Sequence, residues 1–340
     1  MFSCCYFDEL FPHVKPAISE QQHGFLPGRS TATNLCCMLH TAWTNISAGS
    51  QTDVIYTDFS SAFQSVKHRL LLYKLNSSYQ ITDKAFDWIS SYLSGRQQRV
   101  VVGGKCSDWV PVRSGTPEGG LLSPLLFACF VNDLPDSVGG DTLMFADDVK
   151  VYKRVDSLID VSHAQAQLNR LCRWSEKWSL KLNAAKCKVL TLSLRRNPVV
   201  GIYEINGVQL ERVSVMRDLG VLIDQRLTFG DHVDSTVRKA NRALGLLMRT
   251  LQTGKSGSNA FDAANQRALL TTYFTNVRSI IEYCSVVWSG AAQSHVQRLE
   301  RIQEKFLTWL CARCRLTDVP FGYCDMSAYF RVPTLNARFM

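Results

Sequence analysis

The chain has 340 residues, 46% of them apolar and 20% charged, a globular composition that excludes a wholly disordered protein and leaves room for two or three domains. Its net charge of +9 points to a polyanionic partner, nucleic acid before an acidic membrane surface. No membrane span or signal peptide is expected: the longest nearly apolar run, Leu121–Val131, is short and broken by Ser123 and Pro124, and Asp8 and Glu9 follow close behind the N-terminus.

In chain order, Asp53–Phe59 is rich in β-formers and reads as a strand, followed by a helical pattern from Ser61 to Leu75. Gln98–Val102 and Trp109–Val112 predict two short strands around a Gly103-Gly104 turn. Pro117–Gly120 is a Gly/Pro loop, and Leu121–Val131 a buried helix. Leu143–Phe145 and Val149–Tyr152 form a tight hairpin with Asp147 and Asp148 at its tip. Leu168–Leu180 is an amphipathic helix and Lys188–Leu194 a further strand. From His232 to Leu251, Val233, Val237, Ala240, Leu244, Leu247 and Leu251 recur at helical spacing, with Asp231 as N-cap. Arg238, Lys239, Arg242 and Arg249 fall mostly on the other faces. Thr253–Ser258 reads as a loop, and helices follow near Ala260–Tyr283 and Ser294–Arg313.

The charge is uneven. Residues 1–55 are net acidic, whereas residues 226–316 carry a net +7, which makes that helical segment the candidate electrostatic footprint; a solvated surface is the plainer reading. The twelve cysteines read as reduced, mostly buried thiols. Cys311, Cys314 and Cys324 have metal-like spacing but lack an evident fourth ligand, so packed thiols at a helix end are the alternative to zinc.

Asp is common in turns, so an Asp-Asp tip alone is unremarkable. Here apolar strands flank it, in Leu143-Met144-Phe145-Ala146-Asp147-Asp148-Val149. Adjacent carboxylates beside a buried sheet repel and are costly to desolvate unless a cation joins them, and hard oxygen ligands suit magnesium. Asp58 ends the earlier strand just before a helix. A strand-end acid near a hairpin-tip pair is the arrangement that two-metal phosphoryl transfer uses.

At this point the chain resembles the reverse transcriptases of non-LTR retrotransposons, most closely the jockey-like group. Tyr56-Thr57-Asp58-Phe59-Ser60-Ser61-Ala62-Phe63 is similar to their first catalytic motif, and Ser114-Gly115-Thr116-Pro117-Glu118-Gly119-Gly120 to their Gly-x-Pro-Gln-Gly loop. Phe145-Ala146-Asp147-Asp148 resembles the aromatic-Ala-Asp-Asp motif, Asn183-Ala184-Ala185-Lys186 the Asn-x-x-Lys motif, and Leu219-Gly220-Val221 the strand pair that grips a primer end. Upstream, Gln22-His23-Gly24-Phe25-Leu26-Pro27-Gly28-Arg29-Ser30-Thr31 resembles the Gly-Phe-x-x-Gly-Arg-Ser/Thr segment. The motifs stand in family order and spacing from about residue 20 onward.

The resemblance implies an α+β right-hand polymerase fold: partial fingers over residues 1–52, a palm with a small antiparallel sheet over 53–225, and a helical thumb and tail over 226–340. It implies an RNA-directed DNA polymerase that adds deoxynucleotides to a primer 3′-hydroxyl with two Mg2+ ions, Mn2+ being the substitute. Its partners would be an RNA template, a DNA primer and deoxynucleoside triphosphates, in an intracellular ribonucleoprotein of nucleus and cytoplasm. Asp58, Asp147 and Asp148 would hold the metals with the Phe59 carbonyl, and Lys186 would protonate the leaving pyrophosphate. Phe63 would exclude a ribose 2′-hydroxyl, and Gly115, Pro117, Glu118 and Gly119 would shape the nucleotide loop. Arg29, Leu219, Gly220, Arg238, Lys239 and Arg242 would meet template or primer. Glu118 departs from the family's Gln, Gly120 from Ser and Gln64 from Asp. Only Lys15 and Arg29 are basic before Asp53, and the resemblance covers no endonuclease, so an N-terminally truncated copy is expected. A remnant that binds nucleic acid without catalysis is the alternative.

Overall fold

β-Branched and aromatic residues from Gln51 to Thr57 form a strand buried at every position, and this strand organises the N-terminal part of the protein. The computed structural model describes residues 2–117, 119–250, 263–290, 292–314 and 322–339. These divide into two units, residues 1–214 and 215–340. In chain order the first contains α1 (Phe2–Val14), α2 (Thr31–Ser47), β1 (Gln51–Thr57), α3 (Ala62–Ser65), α4 (His68–Tyr79) and α5 (Asp83–Leu93). The two-residue strands β2 (Gln97–Gln98), β3 (Val101–Val102), β4 (Lys105–Cys106) and β5 (Val110–Pro111) follow, then α6 (Ser123–Val131) and α7 (Leu134–Val138). β6 (Thr142–Phe145), β7 (Asp148–Val155), α8 (Leu158–Trp178), β8 (Lys188–Leu192), β9 (Glu204–Ile205), β10 (Val208–Gln209) and β11 (Glu211–Val213) complete it.

The main sheet has the order β11-β8-β1-β7-β6. β1 lies antiparallel to both neighbours, and β11 runs parallel to β8. Ile55, Val151 and Val189 on one face join the apolar core with α4, α6 and α8. On the other face α2 packs against the sheet, with the Tyr56 hydroxyl 3.8 Å from Met38 Sδ. Covering both faces explains why β1 shows no alternation of burial.

Several expected elements are re-cut by tertiary contacts. The helix expected over Ser61–Leu75 is interrupted at Val66 and Lys67, because Val66 O accepts a hydrogen bond from Gly115 N and Lys67 bridges Ser114. The helix expected from Leu168 starts ten residues earlier, behind a capping box in which Ser157 and Asp160 satisfy each other's backbone N–H groups. Exposed Leu158 and Ile159 blur the apolar stripe there. α2 carries the same kind of signal, a Ser30–Thr33 capping box. α6 is buried along almost its whole length, as its composition predicts.

The second unit opens with the hairpin β12 (Val215–Asp218) and β13 (Val221–Asp224). Leu219 and Gly220 form its turn with φ of +43° and +90°. The helices are α9 (Gly230–Thr250), α10 (Ala263–Tyr273), α11 (Ser279–Glu282), α12 (Ser285–Trp288), α13 (Gln293–Arg313), α14 (Tyr323–Tyr329) and α15 (Leu335–Phe339). A π-helical turn, Phe274–Arg278, links α10 to α11 within the stretch expected as one helix. α9 has the expected apolar face, with Val233, Ala240, Leu244 and Leu247 buried, while Asp231 lies inside its first turn rather than at the cap. The loop expected over Thr253–Ser258 lies outside the described residues. The hairpin therefore groups with the C-terminal helices, the division falling between Ser214 and Val215 rather than after residue 225. No helix among the described residues is long and apolar enough to cross a membrane.

Candidate active site

The β1–β7 register pairs Thr57 with Val149, so Asp58 leaves the end of β1 beside the turn that joins β6 to β7. That turn is a two-residue loop, Ala146-Asp147, between the paired Phe145 and Asp148. Such loops require positive φ, and Ala146 adopts +58° although it is not glycine. The chain after α8 returns to the same corner. Asn183 N donates to Asp58 O at 2.8 Å, and Ser60 N to Lys181 O at 2.8 Å. These bonds bring the Asn183–Lys186 turn alongside Asp58, and Lys186 Nζ stands 3.6 Å from Asp58 Oδ2.

A cavity of about 610 Å³ opens at this corner, lined among others by Asp58, Phe63, Asp147, Lys186, Gly119 and Ser123. Phe59, Gln64, Thr116 and Gly120 also line it. Asp58 Oδ2 is buried and accepts no hydrogen bond. The Asp147 carboxyl is pushed above the ordinary carboxylate range, chiefly by burial, with the Asp58 charge adding to the shift and a backbone hydrogen bond opposing it. A carboxylate oxygen that accepts no hydrogen bond and has only the Lys186 ammonium near it, next to a second, desolvated carboxylate, is a donor set for a hard cation, so the residues present fit a divalent ion.

Asp148 is exposed at the first position of β7 and is not in the cavity lining. Among the described residues no three of His, Cys, Asp and Glu come together as a ready-made metal cluster, which applies equally to Cys311, Cys314 and Cys324. Cys311 is buried, Cys314 half-buried and Cys324 exposed.

Phe63 stacks on buried Phe127 with centroids 4.1 Å apart, and Phe25 meets its edge at 6.2 Å. The loop carrying Gly115 is tied to the α3–α4 joint: Gly115 N donates to Val66 O, Thr116 N to Phe63 O, and His68 Nε2 lies 2.8 Å from Gly115 O. Gly115 has φ +91°, and a Cβ there would touch the Gln64 backbone at 3.0 Å, so glycine is required. Pro117 O accepts from Gly120 N and from the Ser123 hydroxyl. Glu118 lies outside the described residues.

Arg29 does not line this cavity. Its guanidinium donates to Glu20 O at 3.0 Å and faces His23 Nε2 at 3.2 Å, beside a separate cavity lined by Glu20, Asp141 and Tyr152. Burial and the neighbouring positive charges of Arg29 and Lys150 lower the His23 pKa to about 4, so His23 is neutral and accepts. Leu219, Gly220, Arg238, Lys239 and Arg242 belong to the second unit. Within it, Tyr283 donates to Leu219 O at 2.8 Å, and the three basic residues are exposed on α9. The sequence reading overlooked Gln22, whose side chain is 1% exposed and bonded to the Ala146 backbone. A buried polar residue just ahead of Gly24, inside an already recognised segment, was the available signal.

A palm-like sheet with two acids converging at a hairpin turn defines a class, and comparison supplies the family. Residues 5–229 match the reverse transcriptase (RNA-dependent DNA polymerase) family. The chain belongs to that family and has its α+β right-hand polymerase fold. It is 27% identical over 307 residues to the RNA-directed DNA polymerase from mobile element jockey of Drosophila funebris, covering 86% of this chain and 32% of that protein. It is 27% identical over 314 residues to the probable RNA-directed DNA polymerase from transposon BS of Drosophila melanogaster, covering 89% and 33%. The chain thus spans about a third of the length of these relatives. Among solved structures, apo telomerase from Candida tropicalis aligns with a TM-score of 0.46 and 8% identity over 92% of this chain and 49% of that one.

Proposed function

We propose that the chain carries the catalytic centre of an RNA-directed DNA polymerase of the non-LTR retrotransposon type. The observation that carries this reading is the convergence of Asp58 and Asp147 on one cavity with Phe63, Lys186, Thr116, Gly119 and Gly120. Asp58 and Asp147 would hold Mg2+, or Mn2+ in its place, with Asp148 and the Phe59 carbonyl available beside them. When bound, the ions supply positive charge to the triphosphate and acidify the primer hydroxyl. The primer 3′-hydroxyl would pass its proton to solvent water as its oxygen attacks the α-phosphorus of a deoxynucleoside triphosphate. The bond to the bridging oxygen breaks, and pyrophosphate leaves.

The chain's own residues set the conditions for that displacement. Lys186 sits near Asp58 with its ammonium largely exposed, poised to give a proton to departing pyrophosphate. Phe63, immobilised by its stack on Phe127, presents a fixed ring edge against the sugar and discriminates against a 2′-hydroxyl. The loop from Gly115, stripped of side chains at Gly115, Gly119 and Gly120, lets the backbone approach the nucleotide. RNA template and DNA primer would lie along the exposed basic side chains of α9 and the Leu219–Gly220 turn.

Primer extension on an RNA template tests the reading. The full chain should extend a DNA primer with Mg2+, and Asp147→Asn should lower the rate by roughly a thousandfold, about 4 kcal/mol of barrier. Extension that survives Asp147→Asn would refute the site assignment. A chain that binds duplex yet adds no nucleotide with either metal would leave nucleic-acid binding as its activity.

A further inference from the structure

We propose that the buried side-chain amide of Gln22 is a positioning clamp that holds the Ala146-Asp147 turn in its metal-binding form. This rests on the polymerase reading of Asp58 and Asp147, and it gives a task to Gln22, the first residue of the quoted upstream segment, to which no role was attached.

The turn needs holding. Ala146 is in the left-handed region at +58°, where an L side chain crowds its own backbone, so the tight turn closed by the Phe145–Asp148 pair carries strain that a contact from outside the hairpin can offset. Gln22 lies 124 positions earlier in the chain and grips Ala146 by both of its peptide groups. Its Oε1 accepts from Ala146 N at 3.0 Å, and its Nε2 donates to Ala146 O at a long 3.5 Å. Oε1 also accepts from Gly24 N at 2.7 Å, which fixes the amide's own orientation.

The clamp is seated by backbone. Met144 N donates to Gln21 O and His23 N to Met144 O, each at 2.9 Å, so residues 21–23 run parallel along the outer edge of β6. Asn34 Nδ2 adds a bond to Met144 O at 3.0 Å. Gly24 permits the approach, since a Cβ there would stand 2.4 Å from Ala146 N.

The chemistry explains an amide. Met would fill the space but strand the Ala146 and Gly24 N–H groups without an acceptor in the interior. Glu, when ionised, would keep the acceptor but set a buried negative charge against Ala146 O, next to the already repelling Asp58 and Asp147 carboxylates. A neutral group with one acceptor and one donor satisfies both ends of the Ala146 peptide and adds no charge. Releasing it frees the turn to rotate and carry the Asp147 carboxylate away from Asp58. The residue therefore acts on metal affinity and on turnover, through Asp147, and not on nucleotide recognition.

The test uses the full chain and Mn2+ as probe, with binding followed by the paramagnetic resonance of free Mn2+. Groups that orient metal ligands from behind typically change affinity 10–100-fold. Gln22→Met should weaken Mn2+ binding by about tenfold and lower kcat by a similar factor, with the KM for deoxynucleotide within twofold, alongside a modest fall in unfolding temperature from the two stranded N–H groups. Gln22→Glu should be defective at pH 8 and regain part of its Mn2+ affinity, relative to the native chain, at pH 6, where the protonated carboxyl again offers a donor. Unchanged Mn2+ affinity in Gln22→Met overturns the proposal, and so does a lowered unfolding temperature with unchanged affinity, which would make the contact merely structural. Should Gln22→Met fail to fold, native-like Mn2+ affinity of Gln22→Glu at pH 8 overturns it instead. A native chain that binds Mn2+ in a Gln22-dependent way but extends no primer would refute the polymerase reading and leave the clamp standing.

Discussion

Phe63 shows how much a single side chain owes to its neighbours. Alone it is an aromatic on a four-residue helix; stacked on buried Phe127 at 4.1 Å and edged by Phe25, it becomes a rigid wall of the cavity. Aromatic pairs of this kind contribute about 0.5–1.5 kcal/mol beyond area burial, enough to hold one rotamer. Phe63→Val should therefore raise incorporation of ribonucleotides relative to deoxynucleotides by about tenfold, as removing a steric barrier of this size typically does. Competitive extension with matched nucleotide pairs measures it, and an unchanged ratio would show that the wall does not meet the sugar. The Asp147 side chain makes the complementary point: its carboxyl pKa is raised chiefly by burial and further by the nearby Asp58 charge, so the same carboxylate would ionise more readily if it were moved away from Asp58 and into solvent.

Among the helices, α4 carries an unusual cost. Lys74 is buried, with Nζ bonded to Phe130 O and Asp133 Oδ1, each at 2.5 Å, and lying 3.7 Å from the Trp178 ring centroid. Burial lowers its pKa to about 8, the Asp133 charge and hydrogen bond opposing the shift, and desolvation wins. Because the folded value lies below the unfolded one, the penalty is fully present below pH 8 and is relieved as pH rises toward 10.4. The penalty is about 3 kcal/mol at neutral pH. Lys74→Met should thus cost less than 1 kcal/mol at pH 7, since Asp133 is 43% exposed and stays hydrated. In urea titrations from pH 7 to 9, the stability gap between the native chain and Lys74→Met should shift in favour of the native chain. A gap independent of pH would show that Lys74 ionises normally.

Helix α9 is the second element with a separable task. Its apolar stripe is used within its own unit, which leaves Arg238, Lys239 and Arg242 exposed. Each phosphate contact contributes roughly 0.9 to the salt slope of duplex binding. Replacing all three by Ala should flatten that slope by two to three units of log K per log salt, at about 0.9 per lost contact. Filter binding across a salt series reads it, and an unaltered slope would mean that this face does not meet nucleic acid.

For the whole molecule, acid sensitivity is built into both units by one buried histidine each. His23 in the first and His232 in the second are pushed to about 4, in both cases foremost by burial and then by nearby positive charges. A histidine depressed in the folded state leaves stability intact above pH 6.5 and withdraws it as pH falls toward 4, by about 1.4 kcal/mol per pH unit for each group. With one depressed histidine in each unit, calorimetry between pH 6.5 and 4.5 should show unfolding move to lower temperature, as two transitions where the units unfold separately. His23→Gln should flatten the dependence of one transition and leave the other untouched. If both respond alike, the two units unfold together.

How far the sequence reached follows from the range of the forces involved. Strand β1, the apolar α6 and the amphipathic α9 were legible because burial pattern and composition are local signals. So was the hairpin, read from two short apolar strands around Ala146-Asp147-Asp148, although Asp148 pairs with Phe145 as the first residue of β7 and leaves only Ala146-Asp147 in the turn. The start of α8 was missed although its Ser157–Asp160 capping box is equally local, because exposed Leu158 and Ile159 disguised the periodicity. The break at Val66–Lys67 could not be read locally, since it is made by Gly115 and Ser114, some fifty positions later. Chain order and motif spacing determined the family and named Asp58, Asp147, Phe63 and Lys186. The tertiary structure alone decided that Asp58 and Asp147 line one cavity while Asp148 lies outside it, that Arg29 turns to Glu20 and His23, and that Gln22 holds Ala146. Each of those outcomes depends on hydrogen bonds between segments far apart in the chain, and such bonds have directions and partners that no local pattern of residues encodes.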